Sequence, residues 1–408
     1  MQPQQDDVVA PVPARAGSTP SQLRRHNMGV VLELLHRDGP ASRSELGTAT
    51  GLTRSTIADL VQDLVACGVA VESGSARPTG PGRPSAVVRA RPEGAVALAV
   101  EVAVESIAVA TVGLGGEVLA TERVESAVDA LAPAEVVDRV AAMAGPLLAQ
   151  HAEGPVGVGV AVPGLVRRRD GFVHVAPNLG WQEVALASML GRALGPGDRP
   201  LPVQVANEAD LGALGELRRG AGRGVGTMVY VSGDVGIGAG LVIDGRAMLG
   251  ATGYAGEAGH MLVDPGGRDC RCGARGCWET VAGEEALLRA AGIDDAPGAR
   301  ALALLRDRLR SGDPQAEHAV GVVGHWVGVG LGNLVNLLNP EVVVLGGHLQ
   351  QLHEHLRPSL ETALAARALA QPRSAAHVVP GTQGRQAQLH GAAELVLAGV
   401  LRDPVARA

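Results

Sequence analysis

His260, Cys270, Cys272 and Cys277 carry the clearest chemistry in this chain. They are spaced His-x9-Cys-x-Cys-x4-Cys within EAGHMLVDPGGRDCRCGARGCWET, residues 257 to 280. Three of the four cysteines of the chain fall within these eight positions, 270 to 277. One imidazole and three thiolates suit a tetrahedral Zn2+ with no open position, hence a structural rather than a catalytic ion. Three thiolates also leave a poor Lewis acid, so the expected role is to brace a Gly-rich loop that has little core of its own. Glu257 and Glu279 flank the cluster. Once the loop is fixed, both carboxylates and the far nitrogen of His260 can be aimed into a cleft.

A second group of residues has the chemistry of DNA contact. Thr53, Arg54, Ser55 and Thr56 offer three hydroxyls and one guanidinium at the start of a helix. Such donors suit phosphates and base edges in a major groove. Arg77 and the Pro-stiffened Arg83 lie in the loop SGSARPTGPGRPS, from which an arginine can enter a minor groove.

The pattern around these residues supplies a scaffold. Leu23, Val30, Val31, Leu34 and Leu35 keep helical spacing up to Gly39-Pro40. Ser42-x-x-Glu45 is a capping box that opens a short second helix ending at Gly51. Thr53 caps a third helix, whose apolar face is Ile57, Leu60, Val61, Leu64 and Val65 and which Gly68 ends. VAVE and AVVRAR then read as strands either side of the Arg77 loop. Two helices, a turn, a helix and a hairpin make a winged helix-turn-helix over residues 21–91. The plainer alternative is a three-helix packing module with solvated arginines. Cys67 reads as ordinary packing.

Beyond the linker Arg91-Pro92-Glu93-Gly94, strand-like runs cover Val96–Val104, Ile107–Val112 and Glu117–Val124, with a helix from near Pro133 and a buried strand in GVGVAVPG. A long helix, Pro314–Leu338, precedes the strand EVVVLGG. This alternation predicts an α/β body of two lobes with a cleft. VSGDVGIGAGLVIDG reads as strand, Gly-rich turn, strand. Its turn suits either a phosphate cradle or a close approach of two backbones.

The chain has 408 residues, enough for two or three domains, and no lysine. Its net charge of −7 argues against a protein that coats nucleic acid indiscriminately. Residues 20–90, however, hold eight arginines against six acids, which suits one DNA-binding module on an acidic body. Residues 1–20 are polar and Pro-rich and read as a disordered tail with no signal peptide. Glu101 and Glu105 break the apolar run VALAVEVAVESIAVATV, so no membrane span is expected. The expected setting is the cytoplasm, where reduced thiols favour metal over disulfide.

These segments resemble the ROK family of bacterial sugar kinases and sugar-responsive repressors. EAGH, nine residues, then CRCGARGCWE is similar to its zinc and sugar motif. VPGLV, APNLGW, NEADLGALGE, GIGAGLVIDG and NPEVVVLGG are similar to further family segments in the same order, over residues 92–408. GLTRSTI and GRP resemble the head of the repressor branch. The resemblance implies an actin-like (ribonuclease-H-like) two-lobed body, divided as 92–206 with a C-terminal helix at about 385–408, and 207–384. It implies sugar contacts at Asn207, Glu208, Glu257, His260 and Glu279, with Asn178 a weaker candidate. Asn207 equally suits a helix N-cap, and Glu279 the start of a helix.

Departures from the kinase pattern separate the branches. Family kinases open with Asp-x-Gly-Gly-Thr, whereas Glu101-Val102-Ala103-Val104-Glu105 stands here. A Thr-Gly of their second phosphate loop resembles Val235-Gly236, beside Asp234, and Glu208 stands where they carry the catalytic Asp. Phosphoryl transfer rests on positive electrostatics, which these acids reverse. The resemblance therefore implies a sugar-responsive regulator of transcription, chiefly a repressor, that binds operator DNA and a sugar effector as a homodimer or homotetramer. The alternative is a ROK sugar kinase with an appended DNA-binding head.

Overall fold

The structure, a computed structural model, describes residues 19–73, 86–197, 199–294 and 298–406. The tail expected over residues 1–20 lies outside these, apart from Thr19 and Pro20, and so do Arg77 and Arg83.

Thr19 caps α1 (Pro20–Asp38) through a reciprocal box with Gln22. Ser42 does the same with Glu45 for α2 (Arg43–Thr50), which ends on left-handed Gly51. α3 (Arg54–Ala66) follows its Thr53 cap. Its face of Ile57, Leu60, Val61 and Leu64 is buried, whereas Val65 is left exposed. The wing consists of β2 (Ala70–Ser73) and β3 (Val87–Ala90), joined by a two-residue β1 (Ala41–Ser42) in the order β1-β3-β2. Two residues are too few for an alternating pattern, so β1 leaves no trace in the sequence.

The body contains the same sheet twice. The first is built from β4 (Val96–Val102), β5 (Ser106–Gly113), β6 (Val118–Glu125), β7 (Gly157–Val162) and β11 (Val203–Asn207), in the order β11-β7-β4-β5-β6. Between β6 and β7 runs α4 (Pro133–Leu148). A small antiparallel sheet of β8 (Leu165–Arg167), β9 (Phe172–Ala176) and β10 (Trp181–Val184), then α5 (Leu186–Leu194), separate β7 from β11. The second lobe follows α6 (Glu208–Arg219). Its sheet takes β12 (Met228–Gly233), β13 (Ile237–Ile243), β14 (Arg246–Ala247), β15 (Val342–Gly346) and β16 (His377–Pro380), in the order β14-β13-β12-β15-β16. Helices α7 (Glu279–Ala282), α8 (Glu284–Ala290), α9 (Ala299–Arg310) and α10 (Pro314–Leu338) precede β15. After it come α11 (Gly347–Gln351), α12 (His353–Arg367) and α13 (Ala370–Ala375), and α14 (Ala387–Arg402) closes the chain. In each sheet the first three strands are antiparallel and the last two join the first strand in parallel. This duplicated 3-2-1-4-5 order is the ribonuclease-H-like repeat of an actin-like body, as the resemblance implied.

Helices α6 and α14 cross between the sheets. A Cβ at Gly215 would strike the Ala387 carbonyl, and one at Gly391 the Leu211 carbonyl, so both crossing points require glycine. The head is not a loose appendage. Met28, Val31 and Leu35 of α1 belong to one buried cluster with Ala95, Ala97, Leu397 and Leu401.

By length and composition α10 can cross a membrane. It packs in the second-lobe core instead, with Val323, Val327 and Leu331 buried against Leu356 and Leu360 of α12.

Candidate functional site

The loop after β14 carries little regular structure, and single bridges hold it: Leu262 with Cys277, and Asp269 with Arg275. Trp278 anchors its end, fully buried, with its indole N–H donating to the Trp326 carbonyl at 2.8 Å. Sequence reasoning missed this anchor, although its neighbour Cys277 pointed at it. On this loop the ligand atoms of His260, Cys270, Cys272 and Cys277 all lie within 4.8 Å of one another.

The donor set fits a tetrahedral ion. Cys272 Sγ and Cys277 Sγ are 3.7 Å apart, and Cys270 Sγ is 3.7 Å from His260 Nδ1. A tetrahedron with Zn–S bonds of about 2.3 Å has S···S edges of roughly 3.8 Å. Nδ1 is thus the ring nitrogen turned to the cluster, while Nε2 faces Glu257 Oε2 at 3.8 Å. Burial, and then the hydrogen bond it donates to Glu279 Oε1 at 2.8 Å, push the Cys270 thiol far up. An ion bound here replaces such thiol protons.

Beside the cluster opens a cavity of about 670 Å3. Asn207, Glu208, Glu257, His260 and Glu279 all line it, as does Asn178. β11 and α6 deliver the first two at their junction. Asn207 is indeed the N-cap of α6: Oδ1 accepts from Ala209 N–H at 2.7 Å, and Nδ2 donates to the Gly164 carbonyl at 3.0 Å. One Nδ2 hydrogen remains beyond those bonds. Glu279 does begin a helix, α7. Both plainer readings therefore hold, and both residues still face the cavity. Burial, and then the charges of Asp234 and Glu101, raise Glu208 well above the usual carboxylate range.

The far side of the cavity is where the resemblance places nucleotide phosphates, and acids occupy it. Glu101 is buried and accepts from Arg123 Nη2 at 2.5 Å. Glu105 Oε2 accepts from Ala299 N–H at 3.2 Å, and Glu284 Oε1 accepts from Gly298 N–H at 2.5 Å. The first turn of α9, whose dipole would welcome a phosphate, already has two carboxylates of the chain's own. Burial raises Glu284 to about 7, opposed by the Gly298 bond and aided by Glu105. Asp234 accepts from Ser232 Oγ at 2.6 Å in the β12–β13 turn. In that turn a Cβ at Gly236 would meet Glu279 Oε2, so the glycine serves a close approach rather than a phosphate cradle.

In the head, Thr53 Oγ1 accepts from Thr56 N–H and lies within 3.0 Å of the Ser55 and Thr56 hydroxyls. Thr53, Arg54 and Ser55 are exposed on one end of α3. Arg24 and Arg43 are tied to Asp63 and Glu72 at 2.6 and 2.7 Å, which neutralises part of the basic excess. Arg77 and Arg83, the expected minor-groove contacts, lie outside the described residues.

Sequence reasoning did not foresee the join between head and body. His36, at the end of α1, is buried with Nε2 2.9 Å from Glu394 Oε1 of α14. Arg219, the last residue of α6, donates from Nε to the same oxygen at 2.9 Å and from Nη1 to the His36 carbonyl at 2.7 Å. Burial alone would raise Glu394, but the His36 hydrogen bond and the charges of His36 and Arg219 hold it down to about 2.

Comparison with known proteins places these features. The pattern of the ROK family matches residues 97–398. The xylose repressor of Bacillus subtilis is 28% identical over 378 residues, covering 92% of this chain and 96% of that protein. The glucokinase of Streptomyces coelicolor is 30% identical over 318 residues and covers 96% of its own length but 73% of this chain. Among solved structures, a ROK family transcriptional regulator homologous to Escherichia coli Mlc superposes with a TM-score of 0.74 at 27% identity, covering 94% of this chain and 97% of its own. A ROK glucokinase from Streptomyces griseus, with glucose and AMPPNP, gives 0.64 at 28% identity over 74% of this chain and 98% of its own. The regulators thus extend over the head, and the kinases span only the share of the chain that the body fills.

Proposed function

This chain belongs to the ROK family, and from that premise we propose that it is a cytoplasmic, sugar-responsive repressor that binds operator DNA and does not transfer phosphate. The observation that carries the reading is a cavity with two unlike sides. One side gathers Asn207, Glu208, Glu257, His260 and Glu279, whose amide and carboxylates suit vicinal hydroxyls. On the other, Glu105 and Glu284 close the α9 N-terminus. Positive, phosphate-binding electrostatics are what phosphoryl transfer requires, and the chain's own acids fill that place. The similarity of this chain to a xylose repressor and to an Mlc homologue over more than nine-tenths of its length supports the same reading.

We assign Zn2+ to His260 Nδ1 and the thiolates of Cys270, Cys272 and Cys277 as a structural ion. When bound it supplies rigidity, holding the loop that presents Glu257, Glu279 and His260 Nε2 to the sugar. We divide the chain as a head at 21–91, a first lobe at 92–206 completed by the C-terminal helix, and a second lobe at 207–384. In the head, Thr53, Arg54, Ser55 and Thr56 meet the major groove, and Arg77 and Arg83, which lie outside the described residues, are the minor-groove contacts of this reading.

Signal transfer follows from α6. Its N-terminus carries the sugar-facing Asn207-Glu208 pair, and its last residue, Arg219, grips His36 and Glu394 about 18 Å away at 1.5 Å per residue. A sugar that favours one lobe arrangement moves this rod, and with it the head. Such a ligand changes DNA affinity only by its differential affinity for the two arrangements. In a homodimer or homotetramer, the shift alters the spacing of paired heads on a two-fold operator.

A coupled assay with D-glucose, D-xylose, ATP and Mg2+ tests the reading. The expected result is no turnover, with sugar binding in calorimetry. Robust turnover abolished by Glu208→Ala would replace the repressor with a kinase that carries a head.

A further inference from the structure

Arg271 stands between two of the metal-ligating cysteines, and its side chain leaves the loop. Its Nη1 donates to Asn178 Oδ1 at 3.0 Å, and its Nη2 donates to Glu285 Oε1. Asn178 sits in the 3-10 turn Pro177–Leu179 of the first lobe, and Glu285 belongs to α8 of the second. The contact therefore crosses the cleft, at the cavity wall where Asn178, Arg271 and Cys272 meet. Its base is fixed by a tight turn, in which Cys270 N–H donates to the Ala274 carbonyl at 2.8 Å and Gly273 N–H to the Cys270 carbonyl at 3.0 Å. Arg271 and Glu285 stay half-exposed, with side-chain exposures of 56% and 43%. A bond so wetted is weak enough to break and re-form during function.

We propose that Arg271 is the gate of the sugar cavity: a positioning residue that Glu285 orients, that latches the metal loop onto Asn178 of the opposite lobe, and that sets how fast sugar enters and leaves. The inference rests on the sugar-binding reading above. In this proposal the latch is made with sugar bound as well as without it, the lobes turning about it, so it must break for either passage. Its loss therefore speeds both rates and leaves the equilibrium nearly unchanged. A residue that simply touched the sugar would affect mainly departure, and affinity with it.

Stopped-flow fluorescence of the full chain, mixed with D-xylose and with D-glucose, separates these roles. In Arg271→Ala, association and dissociation should each quicken by roughly threefold to tenfold, the range one ordinary hydrogen bond supports. The dissociation constant should move less than either rate, and metal content should stay at the native value. Glu285 lies outside the residues that line the cavity, so Glu285→Ala removes the orienting partner without touching sugar. It should reproduce the change, and it carries the test if Arg271→Ala loses metal or fails to fold. Unchanged rates in both variants would overturn the gate. So would faster dissociation alone in Arg271→Ala with Glu285→Ala silent, since Arg271 would then be a plain contact. Absence of binding by the native chain to either sugar would sink the sugar-binding reading itself, and the gate with it.

Discussion

Glu284 shows how single side chains define the two halves of the cavity. Burial lifts its pKa from 4.5 to about 7 in the folded chain. The folded state therefore keeps a proton that the unfolded chain releases near 4.5, and this group's contribution to stability falls as pH rises between those values. Glu284→Gln keeps an acceptor for Gly298 N–H and removes the titration. Thermal denaturation should show the variant gaining on the native chain by as much as about 3 kcal/mol between pH 5 and pH 8. A constant difference across that range would mean that Glu284 is ionised throughout. At the metal loop, Cys272→Ser should lose the bound ion by elemental analysis and lower the melting temperature, because structural zinc contributes folding free energy directly. Full metal content in the variant would refute the ligand set. The clustering of His260 with the three cysteines was legible in the sequence, since their spacing is local. The partners of Glu105 and Arg271 were not, because Ala299 and Asn178 lie 194 and 93 residues away along the chain.

In the proposed reading, α3 and α6 carry the two functions. If Arg54 at the exposed start of α3 reads a base, Arg54→Ala should weaken operator binding by about 1–3 kcal/mol in a titration monitored by fluorescence anisotropy. Unchanged affinity would remove it from the contact surface. For α6, Arg219 is the end that touches the head. Removing it alone leaves the buried Glu394 carboxylate to His36, at a cost of up to about 3–5 kcal/mol. The pair Arg219→Met with Glu394→Leu removes both charges and should recover part of that stability, His36 Nε2 losing its carboxylate partner. This pair should bind sugar and DNA as the native chain does, yet lose the effect of one on the other. Retained coupling would show that the signal bypasses α6. Elements with strong local signals were readable in advance. The long helix starts at its Asp313 cap, with Pro314 in the first turn, and ends on left-handed Asn339. The β8–β10 sheet was not, because its strands are three to five residues long and take their register from one another. The crossing of α6 with α14 was equally hidden, since it joins residues 211 and 391 through a missing side chain.

At the scale of the molecule, two copies of one sheet order enclose a cavity, and a head is welded to the first copy by a shared core. The weld matters because a flexibly tethered head would not feel a change between lobes. His36, Arg219 and Glu394 give the joint a polar lock within an apolar contact, which fixes one orientation of the head. The two-lobed α/β body could be read from the sequence as a class; the docking of the head could not. Allosteric coupling of this kind is commonly worth 1–3 kcal/mol, or about 5- to 150-fold in affinity. The most direct test is the affinity of the full chain for a genomic DNA fragment it selects, measured by anisotropy with and without saturating D-xylose or D-glucose. The expected result is that one of these sugars weakens DNA binding at least about fivefold, while ATP has no effect. DNA affinity that does not change with a sugar shown to bind the same preparation would contradict the account.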